Sequence, residues 1–545
     1  MSSTNDIRVI TAIDFGTTYS GFACAHKNSP EDIYVQDFEG SLKTPTVLKY
    51  DKNFNVLSWG IPALADRTIR KIKNIDDINE MKPVERFKLH LGNIEEKPYL
   101  PEGLNYKKAI TDYLCEIGKM MKTYVKDKYK FLDFFDQVII ILTVPAEFDN
   151  NAISIMRECA FNAGLTDSRS SRNLKFTTEP EAAAIHCMNF LSGNEIKSGD
   201  SFMIVDCGGG TVDLTTRQLL VGNTLGEITE RTGDYCGSSY VDMEFIKFLE
   251  RKVGKSTIEI LKKNHYRQLQ YLIQEFCKRI KLPFTGDDLQ ISEIDLEELC
   301  PVLKQYCKGN ALEEMEELEW IIDLSFEDVK VMFDPIVAKI IQLIRNQLNS
   351  NNKCSAIILV GGFSESKYLQ RRIRQEFEHQ LKNISVPVYP MVAVVKGAIQ
   401  FGIKEHVITS RILKWTYGTD IVRAWEPEDP SSKKLPNGMV KAFHKLAERG
   451  AQLTSRDTIT TTFKPYSLFQ RKVSFNVYVT SESDAKYCDD DDVRLLNRWE
   501  IDIPILDDFD DQTILFTLNF STIEILAIAE NQKTGDKYQV KFNYD

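Results

Sequence analysis

Two stretches of the chain combine carboxylates, glycines and threonines at the end of an apolar run. Asp206-Cys207-Gly208-Gly209-Gly210-Thr211-Val212-Asp213 follows Phe202-Met203-Ile204-Val205, and Asp14-Phe15-Gly16-Thr17-Thr18-Tyr19 follows Ile10-Thr11-Ala12-Ile13. Glycines let backbone N–H groups approach an anion closely, and a turn of such groups makes an anion-binding hollow. Threonine hydroxyls add donors. A carboxylate at the strand end can hold a hydrated Mg²⁺ against the same oxygens, because Mg²⁺ gives up its water reluctantly. The pattern is that of a loop wrapped around a phosphate chain. Its duplication predicts a nucleotide clamped between two related halves.

Three glycines after a strand are often no more than a turn. Here they are bracketed by Asp206 and Asp213 and echoed upstream by Asp14-x-Gly-Thr-Thr, which favours phosphate binding. Two similar patterns are set aside. Gly254-Lys255-Ser256-Thr257 resembles the end of a Walker A loop, but Leu249 occupies the place of its first glycine and the preceding segment reads as helix. No Gly-x-Gly-x-x-Gly opens a helix in the first strand unit, which disfavours a dinucleotide fold.

Strands and helices must alternate to position such loops, and residues 7 to about 190 do so. Val138–Val144 is a continuous β-branched run, the pattern of a strand buried on both faces. Asn150–Ala163 has helical spacing and ends at Gly164, and Glu179-Pro180-Glu181 reads as a helix opening with proline and carboxylates in the first turn. The strand pattern restarts at 202. Residues 242–352 are mostly helical, with a capping box at Ser325–Asp328, and Ala356–Val360 is another buried strand. Beyond 455 the chain turns to short alternating strands, such as Val473–Val479, Trp499–Ile503, Ile514–Phe520 and Ile523–Ala527, with a turn at Lys533-Thr534-Gly535. The expected organisation is therefore a duplicated α/β domain over 1–404 (halves about 7–195 and 200–404), a linker and loop region over 405–440, and an all-β module over 441–545. Asp489–Asp492 lacks the spaced oxygens and glycine of a calcium loop and reads as a solvated loop.

Composition limits the function classes. A net charge of −11 gives no support to nucleic-acid binding. No apolar run is long enough to suggest a membrane span, and the N-terminus lacks the basic and apolar regions of a secretory signal. Eleven scattered cysteines without Cys-x-x-Cys suit reduced thiols, so a cytoplasmic location is expected.

Five motifs occur in order: Asp14-Phe-Gly-Thr-Thr-Tyr-Ser20, Thr143-Val-Pro-Ala146, Glu179-Pro-x-Ala-Ala-Ala184, Asp206-x-Gly-Gly-Gly-Thr-x-Asp213 and Val360-Gly-Gly362. Together they resemble the actin-like ATPase superfamily and, within it, the heat shock protein 70 family. Gly361–Ser366 and Lys396–Gly402 are similar to the divergent 12A-like branch of that family. The resemblance implies an actin-like fold of two ribonuclease H-like halves, and a C-terminal β-sandwich similar to the family's peptide-binding domain. It implies ATP or ADP with Mg²⁺, held through waters by Asp14 and Asp206.

Carried over residue by residue, it places Gly16, Thr17, Thr18 and Tyr19 in the first phosphate loop and Gly208, Gly209, Gly210 and Thr211 in the second, beside Gly237 and Ser238. Glu275, Lys278 and Arg279 would contact the adenosine from one helix face, and Gly361, Gly362 and Phe363 would border the nucleoside. Asp213, Glu179, Lys88 and Thr211 would carry catalysis. The implied reaction is slow phosphoryl transfer to water, coupled to binding of unfolded peptide or a protein client, with a co-chaperone or exchange factor as a further partner and neither nucleic acid nor membrane.

The chain also departs from the family. His406–Leu413 lacks the leucine-rich acidic linker motif, Ile153 stands in place of a relay arginine, Leu282 and Glu365 replace the serine and arginine that frame adenine, and Ser238-Ser239 replaces an acidic pair. The sequence ends near Tyr544-Asp545, about where a helical lid would begin. These changes leave the phosphate end intact and put nucleotide-controlled peptide capture in question. A small-molecule kinase with the same clamp, and a nucleotide-regulated binding protein with little turnover, are the alternatives.

Overall fold

A computed structural model describes residues 6–64, 82–92, 94, 97–191, 196–287, 292–350, 354–404, 407–454, 457–465, 470–503, 513–520 and 524–541. His406, Ile523 and the Tyr544-Asp545 end lie outside them. The chain divides into two compact units, one comprising Met1–Phe148, Ile155–Thr215 and Thr232–Lys404 and the other Asp149–Ser154, Thr216–Arg231 and Glu405–Asp545.

In the first unit the strand Val9–Phe15 pairs antiparallel with Tyr19–His26 and parallel with Val138–Val144, which pairs parallel with Leu174–Thr178. All seven residues of Val138–Val144 are buried, as expected of a run with no polar face. The antiparallel register matches Phe15 with Ser20, so Gly16-Thr17-Thr18 forms the hairpin tip. The second half repeats this scheme. Ser201–Cys207 is parallel to Cys354–Val360, which is parallel to Asn383–Ser385, and Val212–Leu214 pairs antiparallel with Thr232–Asp234. Asp14 and Asp206 therefore occupy equivalent positions, each near the C-terminal end of a buried strand.

Asn150–Asn162 forms the expected helix, and two further helices, Glu179–Leu191 and Ala393–Ile403, hold this frame. The latter lies so close to the former that a Cβ at Gly397 would overlap the Ala182 carbonyl. A helical insert packs its own core on stacked Phe245 and Phe276 rings, 3.9 Å apart. Its longest helix, Phe326–Ser350, opens with the expected capping box: Ser325 Oγ accepts from Asp328 N–H at 3.2 Å, and Asp328 Oδ2 accepts from Ser325 N–H at 3.0 Å. Ser239–Val253 and Lys255–Asn264 are helices joined at Gly254, so no strand precedes Gly254-Lys255-Ser256-Thr257.

The second unit contains two four-stranded antiparallel sheets. One runs Met439–Ala447, Thr416–Ala424, Lys472–Thr480, Arg494–Asp502, and the other Thr458–Phe463, Ile514–Asn519, Leu526–Asn531, Lys537–Lys541. Their alternating apolar residues share one core, in which Phe475 of the first sheet stacks on Phe516 of the second at 4.7 Å.

The boundary expected at 440 is corrected here. Thr416–Ala424 is a full strand of the first sheet, and only residues 425–438 form a loop. The loop-forming Pro427, Pro430 and Pro436 punctuate a connection between two strands, where the sequence suggested a linker. The preceding segment Ile408–Ile412 is also a strand. It pairs parallel with Thr224–Glu227 and antiparallel with Gln452–Thr454. Glu227 fixes it: one carboxylate oxygen accepts from Ile412 N–H at 2.8 Å, and the other pairs with Arg217 at 3.1 Å, both side chains fully buried.

Candidate active site

The two glycine turns of the first unit lie against each other. A Cβ on Gly209 would overlap Thr18, and one on Gly210 would overlap Thr17. Only glycine allows this approach, which explains why both turns carry their glycine and threonine pairs. Gly237 serves the same packing. Its N–H and those of Ser238 and Ser239 donate to the carbonyls of Gly210, Gly208 and Gly209 at 3.3, 3.1 and 2.9 Å. The helix Ser239–Val253 is thereby tied to the underside of the second loop.

A cavity of about 400 Å³ opens over both turns. Gly16, Thr17, Thr18 and Tyr19 line it from the first loop, and Gly208, Gly209, Gly210, Thr211 and Ser238 from the second. Asp14, Glu179 and Asp206 form part of its wall. Gly361, Gly362 and Phe363 close the far end, where Gly361 has a φ of 81° and leaves no room for a Cβ beside Asp206.

The electrostatics concentrate in four buried carboxylates. Asp14, Glu179, Asp206 and Asp213 are 3, 9, 6 and 1% exposed. Burial, then repulsion from Glu179, Asp213 and Asp14, raises the Asp206 carboxyl well above its ordinary range. Burial and Glu179 likewise raise Asp213, although Ala146 N–H donates to it at 2.8 Å. Burial raises Glu179 even though Lys88 pairs with it at 2.7 Å. Lys88 also donates to the Phe15 carbonyl at 2.5 Å, so it is held between the first strand and the helix that begins at Glu179. Neither Lys88 nor Asp213 is part of the cavity wall; both sit behind it.

Among the described residues, two lysines offset these four carboxylates. The second is Lys43, whose ammonium lies 2.6 Å from Asp14 Oδ2. Sequence reasoning missed it, because a lysine in Ser41-Leu42-Lys43-Thr44-Pro45 carries no local signal. The remaining excess of negative charge in a low-dielectric pocket fits a divalent cation. Among the described residues no group of three acidic, His or Cys side chains is placed to hold a metal directly.

The adenosine side differs from expectation. Cys277–Lys281 forms a π-helical turn, in which Leu282 N–H donates to the Cys277 carbonyl at 3.0 Å. The extra residue in that turn rotates the helix face. Cys277, Lys281 and Leu282 line the cavity, while Glu275 and Arg279 pair with each other at 2.7 Å outside its wall. Lys278 borders a neighbouring cavity of about 540 Å³. Lys281 donates to Asp242 Oδ1 and to the Ser238 carbonyl, both at 2.6 Å. None of Glu275, Lys278 and Arg279 lines this cavity.

The profile of the Hsp70 protein family matches residues 10–413, which takes in every residue of this site. The chain is similar to human heat shock 70 kDa protein 12A, 25% identical over 92% of this chain and 86% of the relative. It is similar to human heat shock 70 kDa protein 12B at 26% identity, over 91% of this chain and 84% of the relative. It also resembles the chaperone protein DnaK of Thermotoga petrophila, 22% identical over 80% of this chain and 67% of that protein. The chain that carries these glycine turns, their carboxylates and the buried lysine behind them thus belongs to the Hsp70 family.

Proposed function

We propose that this protein binds ATP with Mg²⁺ in the cavity over the two glycine turns and hydrolyses it slowly, as a chaperone-type ATPase. The observation that carries the reading is the convergence of Asp14, Glu179, Asp206 and Asp213 on paired phosphate loops with only two lysines to offset them. Turn amides and the hydroxyls of Thr17, Thr18 and Thr211 bind the phosphates. Asp14 and Asp206 hold the hydrated Mg²⁺, which when bound supplies neutralising charge to the phosphate oxygens. Glu179, in the cavity wall, orients the attacking water with Asp213 behind it, and its raised affinity for protons suits it to accept one from that water. Lys88 anchors Glu179 in place and adds positive charge behind the phosphates. The reaction needs positioning and electrostatics more than covalent chemistry.

The paired sheets of the second unit bind an extended peptide or a protein partner, with further partners acting as co-chaperone or exchange factor. The family membership and the names of the DnaK-type relatives support this reading. A cytoplasmic location accords with it, and among the described residues no helix is long and apolar enough to cross a membrane.

The 540 Å³ cavity beside Thr17, Thr18 and Tyr19 favours one second reading, a small-molecule kinase whose acceptor occupies that space. Phosphate release from ATP by wild type and Asp206→Asn, with and without unfolded peptide, separates the two. The ATPase reading expects release that falls by ~100-fold or more in the variant. Transfer to a sugar in place of water would replace it with the kinase, and failure to bind ATP or ADP would end both.

A further inference from the structure

Lys43 is not an incidental surface lysine. The segment that carries it is built onto the first phosphate loop. Thr44–Pro45 pairs antiparallel with Tyr19–Ser20, Thr46 N–H donates to the Thr18 carbonyl at 2.8 Å, and Thr46 Oγ donates to the Gly16 carbonyl at 2.8 Å. These bonds fix the Lys43 backbone relative to the loop that receives phosphate. Its side chain is 14% exposed and forms part of the cavity wall, together with Asp14, Asp206 and the second glycine turn.

The two lysines of the site are held differently. Lys88 is spent: Phe15 and Glu179 both take it, and it lies behind the wall. Lys43 has one carboxylate partner, Asp14 Oδ2 at 2.6 Å, and an ammonium has three N–H donors. The carboxylate it occupies is also one of the two assigned to the hydrated cation.

We propose that Lys43 is a tethered cation beside the metal position, bridging Asp14 and a phosphate oxygen of the bound nucleotide, so that nucleotide affinity depends only weakly on the Mg²⁺ that hydrolysis uses. This rests on the ATP-binding reading above. Phosphate is a strong acceptor, and a charge-assisted hydrogen bond to it is among the stronger ones available to a protein. A lysine fixed by the fold also costs no dehydration of a free ion at the moment of binding.

The test is calorimetric titration of ADP into the full chain with Mg²⁺ and with chelator, for wild type, Lys43→Gln and Lys43→Arg. The wild-type dissociation constant should rise by no more than ~10-fold on chelation. In Lys43→Gln the same ratio should be at least ~10-fold larger, the range expected for loss of a charged hydrogen bond, and Lys43→Arg should restore it towards wild type. Circular dichroism checks that the variants fold. A wild-type ratio above ~10-fold overturns the proposal without any variant. So does a Lys43→Gln ratio equal to that of wild type, which would make Lys43 a structural ion pair only. If wild type binds no ADP under either condition, the ATP-binding reading itself fails. If it binds only with Mg²⁺, that reading stands and the tethered cation falls.

Discussion

Two acidic clusters among the described residues are built on opposite principles. In the first unit, Asp14, Glu179, Asp206 and Asp213 are buried together and outnumber Lys43 and Lys88. In the second unit, Asp429, Asp489 and Asp490 of the loop cluster are each paired with a cation. Asp429 accepts both guanidinium nitrogens of Arg423 at 2.7 Å, the Tyr487 hydroxyl at 2.7 Å and the Glu426 N–H at 2.8 Å. Lys433 lies between Asp489 and Asp490, at 2.7 and 3.2 Å. These bonds, the Arg423 pair foremost, hold the Asp429 carboxyl far below its ordinary range, whereas burial and repulsion raise Asp206 far above it. Carboxylates that satisfy one another's surroundings brace a loop. Carboxylates left in excess inside a pocket represent stored electrostatic cost, which a cationic ligand relieves.

The contrast can be broken most directly at Lys88. Replacing it with methionine removes the partner of Glu179 while keeping much of the side-chain volume, and ATP turnover should fall by ~100-fold or more. Single-turnover measurement of phosphate release checks this; unchanged turnover would mean that the buried lysine is scaffold. A smaller effect should come from adding ligand. ADP with Mg²⁺ at a hundredfold excess over its dissociation constant should stabilise the first unit by ~2.7 kcal/mol and leave unfolding of the second unit unmoved in calorimetry. Equal shifts in both would erase the distinction between the clusters. The smallest effect is expected from Asp429→Asn, which loosens the 425–438 loop and lowers the unfolding midpoint of the second unit. ADP affinity should stay within ~twofold of wild type, since the partners of Asp429 named above all belong to the second unit.

Much of this was legible because it is local. The glycine turns, the Ser325–Asp328 capping box, the buried run Val138–Val144 and the turn at Lys533-Thr534-Gly535 depend on neighbours in sequence, and the structure has each of them. What was missed is non-local. Lys43 reaches Asp14 only because Thr44–Pro45 pairs across a hairpin with Tyr19–Ser20. Glu275 and Arg279 stand away from the cavity, paired with each other, and the π turn at Cys277–Lys281 has no sequence signature of its own. The strand Thr416–Ala424 was hidden by Gly418 in its middle and prolines just beyond it. That glycine is required because the Phe443 ring lies where a Cβ would be.

The strand Ile408–Ile412 has a practical consequence for anyone who divides this protein. By sequence the natural cut is at 404, but residues 216–231 belong to the same compact unit as the chain beyond it. A fragment ending at 404 would keep Thr224–Glu227 and lose its parallel neighbour, leaving a row of unpaired backbone groups along that edge. It would also strip Glu227 of the Ile412 N–H that helps satisfy a carboxylate with no access to water. Such a fragment invites intermolecular strand pairing. Poor solubility of a fragment ending at 404 would then reflect the site of the cut, and the full chain, which supplies both missing strands, should be free of it.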